Sequence, residues 1–390
     1  MSQLQREVVE IMNESGAEQR LSILHIILGL TPTNGQYSEH CLPMMDKRDI
    51  TICTYFRSVW GITPPKGIAL FDGDNSLKGF FRALRAALAE KEYDVIHVHT
   101  PHAGALLPLF LFISGLYKKV KPSTVHTIQN SFQSFKLHHK LMFIPGFAFF
   151  ERLVFCSKAS YESFPLFFKW LARNRTHIVQ NAVDIARIDR ILESESLNDD
   201  DQFTVATVGL ITIKNSLTVL EAFRQSISRD GKLVFMGKGN LRPAVEEMAE
   251  KSGLQEHVHL TGMIDRDDVF RNFAQADVFV SASYGEGLPV AVLEAMASGC
   301  PVILSDIPPH REIAEDVDFI PIIEPDDVAG FARELKRFQD MPASERRAIG
   351  QKCKELVEEQ FSLAAMHRGL EEVYAQITDR QLFLPLGSIR

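Results

Sequence analysis

The sequence lacks the features that would place the chain in a bilayer or in an oxidising compartment. Its five cysteines are scattered and form no C-x-x-C pair, which favours a reducing compartment over a disulfide scaffold. The first twenty residues contain no apolar segment typical of a signal peptide. The longest apolar run, Ala103–Tyr117, is too short to span a membrane. We therefore expect a cytoplasmic protein.

Two further features disfavour particular functional classes. No G-x-G-x-x-G motif follows the first predicted strand, so a dehydrogenase is disfavoured. The net charge of −8 argues against general binding to nucleic acid, and no recognised nucleic-acid-binding module is present. We therefore expect no nucleic-acid partner.

The chain is nevertheless long and apolar enough to form more than one core. With 390 residues, 45% of them hydrophobic, it predicts two domains of comparable size. Short β-rich segments alternate with helical ones, which is typical of parallel α/β layers. The strands are predicted at 21–28, 49–56, 67–71, 94–100, 123–128, 153–157, 177–181, 203–210, 232–237, 257–262, 277–283 and 301–306.

The polar, aperiodic segment Glu193–Gln202 reads as a linker between two doubly wound, Rossmann-like domains. We place the first domain at 1–195 and the second at 196–361. The chain is predicted to be helical after Asp326, and the last helix, within 362–390, is long enough to pack back on the first domain. In this fold class ligands bind in a cleft at the carboxyl ends of the strands.

The segment SASYGEGLPVAVLEAMASGCPVILSD (281–306) places Glu286 and Glu294 around the predicted start of a helix. We expect this helix to begin at Gly287 and to end near Ser298, with Pro289 in its first turn. Its free N–H groups and macrodipole would form an anion site, and the two carboxylates could bind hydroxyl groups on either side of a diphosphate. The alternative is that Glu294 is buried and bonded to neighbouring backbone.

The segment EGLPVAVLEAMASGCPVI resembles the E-x7-E signature of retaining glycosyltransferases of the GT-B fold, family 4. Other segments resemble the family in the same order: DVIHVHTPHAG, VFCSKAS, IVQNAVD, ATVGLITIKNSLTVLEAF, LVFMGKGNLRPAVEEM and HLTGMIDRDDVFRNFAQADVFVSAS. The resemblance implies a GT-B fold and metal-independent transfer from a nucleotide-sugar without any cofactor. It also implies that Glu286 contacts the donor sugar and that Glu294 contacts the nucleotide ribose.

The resemblance further implies a set of donor contacts in the second domain. The family carries a Gly-Arg pair and then a Lys that serve the donor diphosphate. Here Leu210 replaces the Arg, so Lys214 is the expected phosphate cation, and Lys238 is a hypothetical second one. For both lysines the alternative is a solvated surface charge. The remaining donor-binding residues expected from the family segments are Gly209, Gly237, Met263, Gly287 and Leu288.

Two candidates lie in the first domain. The resemblance places Gly35 in a loop near the donor, where glycine allows close approach of the backbone. His126 matches a family histidine at the reaction centre and is expected to end a strand at the cleft edge; the alternative is a core histidine bonded to backbone. His97, His99 and His102 could suggest a metal site, which we discount because no carboxylate or cysteine lies nearby in sequence.

Residues 101–180 contain ten basic and two acidic residues, and ten phenylalanines lie between Asn130 and Phe168. Interleaved aromatic and basic residues suit an anionic membrane surface, so peripheral binding to the cytoplasmic face of a membrane is one interpretation. In the other, the phenylalanines pack under the sheet and the cations are solvated.

The sequence thus predicts a retaining, metal-independent hexosyltransferase. It would move a hexose or N-acetylhexosamine from a nucleotide-sugar, with UDP favoured over GDP, to a glycan or lipid-linked acceptor in cell-surface polysaccharide or glycoconjugate synthesis. Two alternatives stay open: a nucleotide-sugar 2-epimerase of the same fold, which needs no acceptor, and a non-catalytic nucleotide-sugar-binding subunit.

Overall fold

The computed structural model describes residues 20–30, 35–56, 63–120, 123–193, 202–227 and 231–382, with side chains up to residue 378. The first half of the chain forms a seven-stranded sheet in the order β3-β2-β1-β4-β5-β6-β7. All its strand pairs are parallel, so their carboxyl ends meet at one edge. The strands are β1 (Ser22–Ile27), β2 (Asp49–Thr54), β3 (Ala69–Phe71), β4 (Val95–Val98), β5 (Thr124–Ile128), β6 (Arg152–Phe155) and β7 (Thr176–Ile178).

Helices cover both faces of this first sheet. They are α1 (Gly35–Ser38), α2 (Leu77–Glu90), α3 (Pro101–Ile113), α4 (Tyr117–Val120), α5 (Leu137–Phe149), α6 (Lys158–Ser163) and α7 (Leu166–Ala172). Side-chain oxygens of Ser76, Thr100 and Ser157 cap the starts of α2, α3 and α6, because each accepts a hydrogen bond from the backbone N–H three residues on. One core joins α2, α3, α5 and α7 to one sheet face.

The second half forms a six-stranded sheet in the order β10-β9-β8-β11-β12-β13. The order reverses beside β8, and such a switch point opens a crevice at the carboxyl ends of the strands. The strands are β8 (Phe203–Val208), β9 (Gly231–Met236), β10 (Val258–Gly262), β11 (Val278–Ser281), β12 (Val302–Ser305) and β13 (Ile322–Ile323). We call the units built on the two sheets the first and second lobes.

The remaining helices are α8 (Ile185–Glu193), α9 (Ser216–Ser226), α10 (Arg242–Lys251), α11 (Arg266–Gln275), α12 (Val290–Ala297), α13 (Pro308–Ile313), α14 (Val328–Asp340), α15 (Ala343–Gln360) and α16 (Leu363–Leu382). The helical character predicted after Asp326 is therefore confirmed for the residues described. Each of the twelve predicted strands is also present. The short strand β13 was not predicted, because its two residues give no periodicity.

The prediction that a helix begins at Gly287 is wrong. Helix α12 begins at Val290, and Pro289 is its N-cap. The reason is that the carbonyls of Gly287 and Leu288 accept hydrogen bonds from Ser157 and Asn181 of the first lobe instead of from helical N–H groups.

The last helix, α16, returns to the first lobe, which confirms that prediction. Its apolar side chains, among them Leu370 and Val373, pack on the sheet face formed by Val95 and Val125. The Tyr374 hydroxyl also lies 2.7 Å from Nδ1 of the buried His97. Burial of this apolar stripe holds the end of the chain against the sheet.

The domain boundary at 195/196 stays a prediction, because residues 194–201 of the linker lie outside the described residues. Helix α8, which precedes this segment, packs against α11 of the second lobe. Ile188 lies in the second lobe's core, and the Arg187 guanidinium lies 2.5 Å from the Asp267 carboxylate. The chain therefore crosses between the lobes just before α8.

Candidate active site

A cleft of about 320 Å³ lies between the lobes, at the carboxyl ends of their strands. The first lobe contributes Gly35 and Glu39 to its wall, and the second contributes the rest. Four of the predicted donor-binding residues line it: Gly35, Gly237, Met263 and Glu294. Much of the remaining wall is apolar, which suits a stacked or enclosed ring. Its other residues are Val208, Met236, Ile264, Arg266, Val269, Val290 and Ala291.

Glu294 lies on α12 with 7% of its surface exposed, so its carboxylate needs a partner. The structure provides one from the protein itself. Oε1 of Glu294 accepts a hydrogen bond from Nε of Arg266 at 2.7 Å, and Nη2 of the same guanidinium lies 2.5 Å away. Among the residues that the structure describes, no backbone group bonds to this carboxylate. Arg266 already balances the charge of this carboxylate, so its burial does not require a ligand, and the ribose contact expected for Glu294 stays a prediction.

Arg266 joins the two lobes across the cleft. Its guanidinium also donates to the Glu39 carboxylate and, over 2.9 Å, to the Ser38 hydroxyl, both in the first lobe. Gly35 leaves room for this arrangement, since a Cβ atom there would lie 2.7 Å from Oε2 of Glu39. Burial lowers the pKa of Arg266, but the two carboxylates outweigh burial and raise it overall. The guanidinium is thus charged and bridges two acids.

Both acids of this bridge are harder to ionise than usual. Burial raises the pKa of Glu294, although Arg266 opposes the rise. Burial likewise raises the pKa of Glu39 to about 7 against the opposing effect of Arg266, and the nearby Glu294 adds to the rise. One guanidinium therefore faces two buried carboxylates, so the bridge carries a surplus of negative charge once both are ionised.

The pKa of Glu39, which burial raises, predicts a pH dependence of stability. Its folded-state pKa of about 7 lies above the ordinary 4.5, so the folded protein holds a proton that the unfolded chain releases between these values. Stability from this group is present below pH 4.5 and declines as pH rises to 7. A Glu39→Gln variant has no titrating group at this position. Between pH 4.5 and 7 the free energy of unfolding of the parent should therefore fall by about 3 kcal/mol relative to that of the variant. Urea unfolding at several pH values measures the difference.

The control for this experiment is Glu246→Gln, which changes an exposed glutamate on α10. Its stability curve should run parallel to that of the parent. If the Glu39→Gln curve were also parallel between pH 4.5 and 7, Glu39 would not carry the proton that we assign to it.

The second predicted acid, Glu286, lies in the loop between β11 and α12. Its Oε1 accepts hydrogen bonds from Nζ of Lys214 and from the Ser283 hydroxyl, both at 2.7 Å. The structure thus brings together two residues that the sequence assigned to the same donor. Among the residues described, no hydrogen bond is made to its Oε2, so this oxygen is available to a ligand hydroxyl.

The loop at 286–288 is bound to the first lobe through three consecutive carbonyls. Hydroxyls of Ser131 and Ser157 donate to the carbonyls of residues 286 and 287, the latter over 2.7 Å, and the Asn181 amide donates to that of residue 288 over 3.3 Å. Glu312 adds a fourth contact, since its carboxylate accepts from two backbone N–H groups at the start of α6. We call this set of contacts the interlobe seam.

The other predicted donor residues lie in different surroundings. Gly209 and Gly237 follow adjacent strands with φ of +85° and +94°, which only glycine adopts without strain. Leu288 is buried in the second lobe's core. Leu210, at the position of the missing Arg, is fully buried, so no cation could replace it there without loss of packing. Lys238 is exposed and is not among the residues that line the cleft.

The structure contradicts the expected position of His126. This residue lies in the middle of β5 and is fully buried, not at the cleft edge. The glycines at positions 104 and 146 pack against its ring, where a Cβ atom would approach ring atoms to 2.5 and 3.3 Å. Burial lowers the pKa of His126 to about 4, so the ring is neutral. It lies in the core, as the alternative interpretation held, but among the residues described neither ring nitrogen has a hydrogen-bond partner, so the backbone bond of that interpretation is not observed.

Three other histidines cluster beneath α16. Ligand nitrogens of His25, His97 and His99 lie within 4.8 Å of one another, a separation that a metal ion could bridge after small shifts. However, both nitrogens of His97 already have partners, the Tyr374 hydroxyl at 2.7 Å and the Thr127 hydroxyl at 2.6 Å. His25 and His99 bond to each other over 2.9 Å. We interpret the cluster as a buried hydrogen-bond network, and His102 is not part of it.

A second cavity of about 220 Å³ opens in the first lobe, at the ends of β4 and β5. Its polar walls include Gln129 and Asn130, whose backbone lies directly against Gly287. The cavity therefore adjoins the loop that carries Glu286. His102 and His139, on α3 and α5, also line it, as do Gln36, His99 and Thr100.

Arg266 and Glu39 are the residues that sequence reasoning missed. Each carried a signal, because Arg266 follows a predicted strand in TGMIDRDD and Glu39 lies four residues after Gly35. Charged residues at the carboxyl ends of parallel strands are candidates for the cleft. The sequence contains no pattern, however, that predicts their pairing across the lobes.

Comparison with known proteins identifies the class. A model of the family described as Glycosyltransferase Family 4 matches residues 48–187, and a model described as Glycosyl transferases group 1 matches residues 189–356. Protein EpsD of Bacillus subtilis (strain 168), which carries a glycosyltransferase assignment, is 27% identical over 77% of this chain and 81% of its own length.

An Escherichia coli UDP-Gal:alpha-D-GlcNAc-diphosphoundecaprenol alpha-1,3-galactosyltransferase is 25% identical over 76% of this chain and 78% of its own length. Among solved structures, Anabaena HepE in complex with UDP and glucose shares the fold, with a TM-score of 0.72 and 15% identity over 92% of this chain and all of that one. The two matching models, the related proteins and the paired Rossmann-like lobes support a glycosyltransferase with the GT-B fold.

Proposed function

We propose that the chain is a retaining hexosyltransferase that moves a hexose or N-acetylhexosamine from a nucleotide-sugar to a lipid-linked or glycan acceptor. UDP is favoured over GDP as the donor nucleotide, because the E. coli relative is named for UDP-Gal and the HepE structure holds UDP. The same relative is named for a diphosphoundecaprenol acceptor. The enzyme would work in the cytoplasm on cell-surface polysaccharide or glycoconjugate synthesis.

One observation carries this proposal. Glu294 lies beside the first turn of α12 in the cleft between the lobes, and both Val290 and Ala291 of that turn line the same cleft. A carboxylate accepts hydrogen bonds from ribose hydroxyls, while a helix start attracts phosphate. The base would then lie against the apolar wall near Met263 and Ile264. Glu294 would exchange part of its contact with Arg266 for the ribose.

Lys214 and the start of α12 would stabilise the departing diphosphate, so the transfer as proposed needs neither metal nor cofactor. In this reaction the bond from the anomeric carbon to the diphosphate breaks, and a bond to the acceptor oxygen forms on the same face. The acceptor proton passes to the departing phosphate. Glu286 would hold hydroxyls of the transferred sugar, and the first-lobe cavity beside Gln129 would hold the acceptor.

Incubation of the purified protein with radiolabelled UDP- and GDP-sugars and a membrane extract tests the proposal. Label that moves to lipid or glycan supports transfer. A changed sugar on the nucleotide would instead indicate a 2-epimerase, and binding without either product would indicate a non-catalytic subunit. The anomeric configuration of the product, read by NMR, tests retention, and activity in the presence of EDTA tests metal independence.

Lys214→Gln is predicted to lower turnover at saturating donor by about 10²–10³-fold, because the charge that stabilises the departing diphosphate is lost. The loop at 286–288 should keep its place, because Ser283 still donates to Glu286 and Ser157 and Asn181 still donate to the loop carbonyls. Steady-state kinetics measures the effect. Lys251→Ala, on the exposed face of α10, is the control and should behave like the parent. A Lys214→Gln enzyme with parental turnover would contradict the assignment.

Lys238→Ala tests the hypothetical second phosphate cation in the same assay. Because Lys238 is exposed outside the cleft lining, it can act only if its loop moves toward the donor. We expect turnover to fall less than in Lys214→Gln. Unchanged turnover at saturating donor would show that Lys238 is not part of the site.

A further inference from the structure

The outer surface of the first lobe carries large apolar side chains in contact with solvent. They lie on α3, α5 and α7, and α5 packs between the other two helices. Scattered exposed apolar residues are ordinary, but a set on adjacent helices marks an interaction surface. We define the apolar face by its six most exposed members: Phe112, Ile113, Leu137, Leu141, Leu166 and Trp170.

These are mostly not the residues that the sequence pattern suggested. Seven of the ten phenylalanines between positions 130 and 168 are buried, as the alternative interpretation held. On α5, for example, Phe143 and Phe147 face the sheet, while Leu137 and Leu141 point outward. The aromatic residues therefore build the core beneath the face, and aliphatic residues with Phe112 and Trp170 form the face itself.

The charged side chains on the three helices of the apolar face are all basic. Helices α3, α5 and α7 contain no Asp or Glu, whereas α5 and α7 carry Lys140 and Lys169. Lys136 precedes α5, and Arg173 follows α7. A second copy of the chain docked by the same face would bring cations together. An anionic lipid surface matches both the apolar side chains and the surrounding cations.

We propose that the apolar face docks on an anionic lipid bilayer, with α3, α5 and α7 lying in the interface. Among the described residues, no helix combines the length and apolar character needed to cross a bilayer, so the contact is a surface one. The face begins at the first-lobe cavity, because Pro101 and His102 at the start of α3 and His139 on α5 line that cavity. Docking would place the cavity near lipid head groups.

The link to catalysis rests on the proposed function, since only a lipid-linked acceptor would need this placement. Docking itself is independent of it. Co-sedimentation with vesicles of phosphatidylglycerol and phosphatidylcholine, compared with phosphatidylcholine alone, measures docking without any donor or acceptor. We expect the parent to bind the mixed vesicles and to dissociate as salt is raised.

The variant Phe112→Ser/Leu137→Ser/Leu166→Ser removes one side chain from each helix, and these side chains are 77%, 74% and 82% exposed. Such exposed positions tolerate substitution, so the fold should persist. We expect vesicle binding to fall at least tenfold, because each insertion loses buried apolar area. Leu77→Ser, which changes an exposed leucine on α2 outside the face, is the control and should bind like the parent.

Failure of the parent to bind mixed vesicles, or equal binding by the triple variant, would overturn the proposal. Light scattering that showed a parental dimer, lost in the triple variant, would also overturn it and assign the face to a second copy. Donor binding by the triple variant, measured by calorimetry, should equal that of the parent. A failed transfer assay with intact vesicle binding would count against the proposed function alone.

Discussion

Replacing Glu294 with Ala is expected to lower the affinity for the nucleotide-sugar donor about a hundredfold. The carboxylate lines the interlobe cleft at the first turns of α12, and no other acid of α12 can replace it. Hydrogen bonds from hydroxyls to a buried carboxylate contribute about 1.5–3 kcal/mol each, so loss of the ribose contacts accounts for a change of this size. Calorimetric titration with UDP- and GDP-sugars measures it.

The same change removes one of the two carboxylates of Arg266, and this would lower stability by about 2 kcal/mol even with Glu39 still in place. Glu294→Gln separates the two effects. Its amide oxygen can still accept from Arg266, so stability should stay closer to the parent, while donor affinity still falls because the charge is gone. Glu246→Ala, on an exposed helix face, controls for loss of an acid far from the cleft.

The assignment of Glu294 would be contradicted if Glu294→Ala bound the donor as tightly as the parent. A parent that bound no nucleotide-sugar would be a different result, since it would count against the proposed function as a whole. Stability measured in parallel shows whether a weak binder is merely unfolded.

The ion bridge around Arg266 shows which part of the site can be predicted from the sequence. Glu294 was recognisable because an acid inside an apolar helical run needs a reason to be there. Its partner was not recognisable, because Arg266 approaches it from the start of another helix. Glu39 is a further 227 residues away in sequence and meets Arg266 only when the two lobes pack together. Rules based on residue spacing describe one helix or strand at a time, so they cannot predict contacts between the lobes.

The strands were predictable for the opposite reason. Parallel strands buried on both faces are continuous apolar runs bounded by turn residues, so composition alone marks them. The same local reasoning failed for His126, since a strand pattern does not show which neighbours cover it. Gly104 and Gly146 come from α3 and α5, and their missing side chains allow helices to close over the ring. Burial there is a property of helix packing, which the strand sequence does not encode.

The second large effect is expected from Gly287→Ala, which should lower turnover at least about a hundredfold while leaving donor affinity within a few-fold of the parent. A Cβ atom at this position would lie 2.2 Å from the Gln129 carbonyl oxygen and 2.8 Å from the Cα of Asn130. Both are backbone atoms of the first lobe, so no rotamer change can relieve the clash. Either the lobes separate here or the loop at 286–288 withdraws.

In both cases the interlobe seam breaks, because the hydroxyls of Ser131 and Ser157 and the amide of Asn181 lose the carbonyls to which they donate. The diphosphate and ribose contacts proposed for Lys214 and Glu294 lie within the second lobe, so most of the donor affinity should survive even if the contact from Glu286 to the sugar weakens. Transfer needs the acceptor cavity beside Gln129 at reacting distance, and a misplacement of about 1 Å can cost a hundredfold in rate.

Gly285→Ala is the matched control, two residues earlier in the same loop. Its Cβ atom would lie 3.2 Å from the Ser134 hydroxyl oxygen, which is on a side chain that can rotate away. Turnover of that variant should stay within a few-fold of the parent. Donor hydrolysis by water gives a second measurement, because an opened seam admits water to the donor and should raise hydrolysis relative to transfer. Parental turnover in Gly287→Ala would show that the seam is not needed for transfer.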